Sequence, residues 1–161
     1  MSTADAPLPS APDVPGEKPR ILVVRAPYYR DVIDGMSWGA ARILDEAGAP
    51  HEVLDVAGSF ELAQAIRIVL RGREKFDGFV ALGCIVRGGT DHYDHICRET
   101  MAGLMQVALQ YGIALGSGVL TVHSIEQAVA RSGRDGFNKG AEAAVAALLQ
   151  INAARRFGAA L

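Results

Sequence analysis

Near the middle of the chain, Gly88-Gly89-Thr90 is followed by Asp91, His92, Tyr93 and Asp94. Glycines let backbone amides come close to a ligand. If a helix begins here, its unpaired N–H groups and positive dipole end favour an anion. An imidazole carries protons near neutral pH. Together these residue types offer anion binding beside proton transfer. A surface helix histidine next to a turn has the same composition, so the decision rests on what surrounds the stretch.

The surrounding elements place it well. Phe79-Val80-Ala81-Leu82 reads as a buried strand. From Tyr93 to about Tyr111, Ile96, Met101, Leu104, Met105 and Ala108 recur on one helical face. The Gly-Gly-Thr turn thus falls where a strand hands over to a helix. Upstream, Ile21–Val24 reads as a first strand ending in Ala26-Pro27-Tyr28-Tyr29. Ile33, Met36, Ala40, Ile43, Leu44 and Ala47 then mark a helix stopped by Gly48. Trp38 lies off that stripe and is expected against a partner chain. A second strand, His51–Val56, leads through Gly58-Ser59-Phe60-Glu61 into a helix with Leu62, Ala65, Ile66, Val69 and Leu70 inward, for which Ser59 is a suitable cap. Downstream, Ile113–Thr121 reads as a fourth strand, and Ser124-Ile125-Glu126-Gln127 has the form of a capping box. An alanine-rich helix closes the chain near Arg156.

Strands alternating with helices, several of them continuously apolar, imply a parallel sheet covered on both faces. Right-handed crossovers make this a flavodoxin-like, three-layer α/β/α sandwich with four parallel strands. Ligands in such sheets gather beyond the carboxyl ends of the strands. Pro27–Tyr29, Gly58–Glu61, Gly88–His92 and the residues from Thr121 onward all lie there. That convergence carries more weight than any one motif.

Half of the 161 residues are hydrophobic, enough for one core, so a single domain is expected over residues 20–161. Residues 1–19 carry Pro7, Pro9, Pro12, Pro15 and Pro19 and are expected to form a flexible arm without a catalytic role. Sixteen Lys and Arg face 18 Asp and Glu with no basic run, so a nucleic-acid partner is not indicated. No apolar run is long enough to span a membrane, and the N-terminal residues lack a signal-peptide layout. Cys84 and Cys97 have no metal-ligand spacing, which points to reduced core thiols and a cytoplasmic location.

Several stretches carry a family resemblance. Val56-Ala57-Gly58-Ser59-Phe60-Glu61-Leu62 resembles the P-G-A-F-E-[IL] turn of lumazine synthases, and residues 81–94 resemble their A-L-G-x-V-I-R-G-x-T-x-H-[YF]-D signature. Gly118–Thr121, Ile125–Ala128, Arg131 and Asn138-Lys139-Gly140-Ala141-Glu142-Ala143-Ala144 are similar to the C-terminal half of that family in order and spacing. The resemblance spans roughly residues 20–157. It implies condensation of 5-amino-6-(D-ribitylamino)uracil with 3,4-dihydroxy-2-butanone 4-phosphate to 6,7-dimethyl-8-ribityllumazine, without metal or organic cofactor.

The same resemblance implies roles residue by residue. His92 corresponds to the proton-transfer histidine. Arg131, with Gly89, Thr90 and Asp91, corresponds to the phosphate seat. Tyr28 stands in the place of the aromatic that stacks on the pyrimidine. Ser59, Phe60 and Glu61 hold the ring and ribityl chain, and Ile85 and Val86 back the ring. Lys139 lies near the phosphate, and Ser117 stands where many members have a phenylalanine reaching a neighbouring subunit's site. The resemblance implies sites shared between the Tyr28, Glu61 and His92 regions of one subunit and the Ser117, Arg131 and Lys139 regions of the next. The implied partners are small-molecule substrates and further copies of the chain in a homopentamer, with an icosahedral shell of pentamers and riboflavin synthase as additional candidates.

Without the resemblance, Arg131 would read as a solvated helix-end cation, Asp94 as a dipole partner and Phe60 as an anchor of the second helix. Arg87, His51, His95 and His123 are given no role. Departures from the family pattern are Ala26-Pro27-Tyr28-Tyr29 after the first strand, Ala57 and Ser59 in the turn, Asp91 before the histidine, and Ser117. They leave open a catalytically weak paralogue that serves as a flavin- or lumazine-binding oligomeric protein. A generic nucleotide module is disfavoured, because no phosphate loop follows the first strand.

Overall fold

The computed structural model describes residues 8–134 and 137–159; Asp135 and Gly136, in the link before Asn138, lie outside the described residues, as do the first seven and last two. Four strands, β1 (Ile21–Arg25), β2 (His51–Asp55), β3 (Gly78–Val86) and β4 (Ala114–Val122), form one parallel sheet in the order β2-β1-β3-β4. They alternate with α1 (Arg30–Glu46), α2 (Leu62–Leu70), α3 (His92–Tyr111), the short α4 (Ile125–Val129) and α5 (Lys139–Phe157). The three-layer α/β/α architecture is that expected from the sequence.

The strand order explains where the helices lie. From β1 the chain steps outward to β2, then crosses back past β1 to β3 and continues to β4. Crossovers of one hand that run in opposite directions put their helices on opposite faces. Accordingly α1 packs with α5 on one face, and α2 packs with α3 on the other. The first face buries Ile33, Met36, Ile43, Leu44, Leu148 and Ile151; the second buries Leu62, Ile66, Phe79, Leu104 and Val107. The reversal falls between β1 and β3, so their carboxyl ends frame a crevice.

The α1/α5 layer is unusually close because glycine and alanine remove the side chains that would hold the backbones apart. A Cβ on Gly140 would overlap the Met36 carbonyl, and one on Gly116 would overlap that of Ala143. The all-buried inward face of α1 matches the expected stripe, and Gly48 ends the helix at φ +69°.

Several local expectations are corrected. β3 runs four residues beyond Leu82, because Gly83, Cys84, Ile85 and Val86 stay in register with Val119–Val122 of β4. The buried face of α3 is Thr100, Leu104 and Val107, while Met101 and Met105 point outward with Leu109. Ser59 does not cap α2: it opens a single 3-10 turn, and its hydroxyl packs beside Gly83. The capping box at Ser124 is not made: the Ser124 side chain caps no backbone N–H, and Gln127 reaches the residue before the cap instead. Gln127 accepts the His123 backbone N–H, and the Ser124 hydroxyl bonds the Glu126 carboxylate, lowering its pKa.

Residues 8–19 contain no helix or strand, yet they are docked on the domain. Val14 is buried in the α1/α5 core, Asn152 donates to the Asp13 carbonyl, and Arg155 donates to those of Pro15 and Glu17. A proline-rich segment cannot build a core of its own, but it can lay one apolar side chain into a core that exists. Burying a valine contributes roughly 1.5–3 kcal/mol. No helix among the described residues is long and apolar enough to cross a membrane.

Candidate active site

A cavity of about 280 Å³ opens at the carboxyl ends of β1 and β3, the crevice that the chain reversal creates. Its floor is Cys84, Ile85 and Val86, the end of β3. One wall is Tyr28 and Tyr29, which follow β1, and another is Gly58 and Ser59. Gly88, Thr90, His92, Tyr93 and Ile96 complete it from the entry to α3. The sheet supplies a rigid apolar base, and three loops supply the polar groups.

His92 is the first residue of α3 and is exposed at the cavity. Asp94, three positions from the helix N-cap, does not line the cavity. Its carboxylate takes the Arg87 guanidinium at 2.6 Å, and that guanidinium lies 4.7 Å above the Tyr93 ring. The pair braces the start of α3, and its exposure keeps the direct energetic contribution to about 0–1 kcal/mol. Tyr93 also meets the His123 ring edge-on at 6.2 Å. Burial first, then a hydrogen bond with Cys97, raise its phenol pKa. Gly88 and Gly89 have no positive φ, and a Cβ on either would meet nothing within 4 Å. The turn itself therefore does not demand glycine, so here they leave the backbone amides uncovered rather than allow a tight bend.

Other expected residues are placed less centrally. Tyr28 is 77% exposed at the rim, its ring edge-on to Tyr29 at 5.1 Å. Phe60 is 47% exposed, so it is no anchor for α2; buried Ser59 and Leu62 hold that turn instead. The Glu61 carboxylate folds back beside Gly58, at the cavity's edge. Gly89 and Asp91 do not line the cavity, and the Asp91 side chain caps nothing; only its carbonyl engages α3, accepting from Asp94 and His95.

Arg131, Lys139 and Ser117 are not in this cavity. They line a second one of about 230 Å³ with Gly118–Val122, along the edge of β4 that no described strand covers. Arg131 donates to the Gln127 carbonyl at 2.8 Å, and Lys139 reaches both Glu142 carboxylate oxygens at 2.6 and 2.8 Å. One chain thus carries two half-equipped cavities: an apolar floor with an imidazole, and a pair of cations at an open sheet edge.

The family resemblance extends over nearly the whole fold. Residues 18–155 fit the family model described as 6,7-dimethyl-8-ribityllumazine synthase. The chain belongs to that family. It is 41% identical over 145 residues to the 6,7-dimethyl-8-ribityllumazine synthase of Paramagnetospirillum magneticum, covering 86% of this chain and 97% of that one. A protein of Rhizobium meliloti named 6,7-dimethyl-8-ribityllumazine synthase 1 is 43% identical over 143 residues, covering 86% and 94%. The 6,7-dimethyl-8-ribityllumazine synthase of Nitrobacter winogradskyi is 40% identical over 159 residues, covering 96% of each chain. Family membership makes this chain a transferase of riboflavin biosynthesis.

Sequence reasoning passed over Tyr29, Cys84, Tyr93 and Ile96 as lining residues. Ile96 was findable: four residues after His92, it lies on the same helical face. Tyr29 was not, because nothing local says which of two adjacent tyrosines turns inward. Burial pushes the Cys84 thiol up to about 11, so it lines the cavity as a neutral apolar group.

Proposed function

We propose that this chain condenses 5-amino-6-(D-ribitylamino)uracil with 3,4-dihydroxy-2-butanone 4-phosphate to form 6,7-dimethyl-8-ribityllumazine, at a site completed by two copies of the chain. The observation that carries the shared site is the division of groups. The imidazole and apolar floor lie in one cavity and the paired cations in another, at an uncovered sheet edge.

The reaction asks for little beyond placement and proton traffic. The pyrimidine amine adds to the ketone and loses water as an imine forms, phosphate leaves by elimination, and the second amine closes the ring with loss of water. The flat pyrimidine rests on Ile85 and Val86, with Tyr28 across the rim. Ser59 and Glu61 meet the polar ring edge and ribityl hydroxyls, with Phe60 beside them. His92 accepts and returns the proton at addition and elimination, which positioned groups accelerate by about 10²–10⁴-fold. Arg131 and Lys139 come from the neighbouring copy and, with Thr90 and the backbone amides of Gly89 and Asp91 of the first, hold the phosphate; Ser117 lies beside them. A planar, permanently charged guanidinium suits that seat.

The working unit is a homopentamer acting in the cytoplasm. A groove of about 380 Å³ lined by Met101, Leu104, Met105, Leu109, Ile113 and Leu115 runs beside the β4 edge, an apolar face continuous with the cation cavity through Ser117. Both cysteines are free thiols, as a reducing compartment keeps them. A shell of pentamers and an association with riboflavin synthase extend the same reading.

Purified protein given both substrates is expected to produce the lumazine chromophore with release of inorganic phosphate. Binding of both substrates without turnover would reduce the protein to a binder.

A further inference from the structure

We infer that Asn138 is a positioning residue, one that sets the spacing of the Arg131–Lys139 pair by tying the base of the connection between them to α1. The inference rests on the reading that this pair holds the phosphate.

Asn138 is 1% exposed, and both ends of its amide are engaged. Its Oδ1 accepts from the Gly140 and Ala141 N–H groups at 2.9 and 3.1 Å, capping α5. That fixes which end is oxygen, since backbone N–H groups only donate. Its Nδ2 then donates to the carbonyls of Gly35 in α1 and Gly133 at 2.9 Å each, and of Ser132 at 3.2 Å. A helix cap needs only the acceptor, which serine or aspartate also provides. The two Nδ2 N–H groups, one of them shared between carbonyls, do something further.

What they do follows from the backbone around them. Ser132 and Asn138 pair as an antiparallel bridge, and the Lys139 N–H donates to the Arg131 carbonyl at 2.9 Å. The two cations are therefore clamped backbone to backbone, with their side chains on one cavity. Gly35 and Gly39 of α1 make room for the clamp: a Cβ on Gly39 would overlap the Asn138 amide, and one on Gly35 would overlap the Ser132 carbonyl. The Nδ2 bond to Gly35 joins the clamp to the most closely packed layer of the fold. It gives two long, flexible cationic side chains a fixed common origin.

The test uses Asn138→Ser and Asn138→Asp in the full-length oligomer. Both keep an oxygen for the cap and lose the donations, the second at unchanged side-chain size. The readouts are inorganic phosphate affinity, the KM for each substrate and the melting temperature. Ile151→Val, in the α1/α5 core, is the control for lost stability alone. We expect phosphate affinity and the KM for the phosphate-bearing substrate to worsen about tenfold in both variants, about 1.4 kcal/mol. The pyrimidine KM should stay within about twofold. Ile151→Val should lower the melting temperature and leave phosphate binding unchanged. Unchanged phosphate affinity in either variant, or equal weakening of both substrates, overturns the inference. Phosphate binding unaffected by Arg131→Ala would instead overturn the reading of the seat itself.

Discussion

On the α1/α5 face of the sheet, glycine and alanine bring backbones into contact, and Asn138 hydrogen-bonds across the joint. On the α2/α3 face, α3 turns Met101, Met105 and Leu109 outward and leaves an apolar groove beside β4. The first face is complete within one chain. The second ends in apolar surface whose exposure to water is costly, and the cation cavity lies along the same margin. One face builds the subunit; the other, on the function proposed above, is where a second copy packs.

The largest expected effect comes from breaking the open face. Met105→Glu with Leu109→Glu puts charge on exposed positions of α3, so the subunit should fold with normal helix content. It should nevertheless run as a monomer in light scattering. Losing the partner's half of every site, Arg131 and Lys139 together, should cut turnover of dilute phosphate-bearing substrate by about 10²–10⁴-fold, the scale of two charge-assisted contacts of roughly 1.5–3 kcal/mol each. A fully active monomer would refute the contrast between the faces.

Breaking the closed face should act on stability instead. Gly140→Ala drives a methyl into the Met36 carbonyl, and overpacking of this kind costs roughly 1–3 kcal/mol. We expect the upper end, measured by denaturant unfolding, because backbone rather than a flexible side chain must move.

Within the site, His92→Ala should lower kcat about a hundredfold while pyrimidine binding stays near wild type. Imine formation proceeds slowly unaided, which places the loss at the low end. Arg131→Ala should weaken the phosphate-bearing substrate about tenfold to a hundredfold, with little change for the pyrimidine. Isothermal titration separates these outcomes from a general loss of fold.

The smallest effect is a pH dependence. The Cys84 thiol is raised from 9.0 to about 11 by burial. Between those values the folded state keeps a proton that the unfolded chain releases, so stability falls as pH rises through this window. The difference between wild type and Cys84→Ala isolates this slope from the tyrosines, of which Tyr29 and Tyr93 are also raised by burial. No difference would mean that Cys84 is wetter than the packing around it implies.

The layers and the strand-end location of the site were legible because they depend on pattern. Apolar periodicity picked out the four strands and main helices, and the turn residues fell where parallel strands end. What stayed hidden depends on tertiary choice. The face of α3 was misjudged because Met101 and Met105 share a helical stripe with Leu104, and only packing decides which side of a broad stripe turns inward. The docking of Val14 was missed because a proline-rich composition describes a segment alone, without the core it lies on. The separation of His92 from Arg131 was expected from the resemblance rather than from pattern, since spacing along a chain does not say which cavity a side chain enters. Asn138 was quoted within a motif but given no role, because its meaning lies in Gly35, 103 residues away.

The shared site can be tested directly by mixing two defective subunits. His92→Ala lacks the proton carrier but keeps the cations; Arg131→Ala lacks a cation but keeps the imidazole. Co-assembled in equal amounts, they should restore about a quarter of the sites to a full complement, as each site draws one half from each of two neighbours. With the phosphate-bearing substrate held well below the KM of the Arg131→Ala parent, turnover of the mixture should therefore rise well above that of either parent, toward about a quarter of wild type. Turnover no higher than the mean of the two parents, in confirmed mixed oligomers, would show that His92 and Arg131 do not complete one another across subunits.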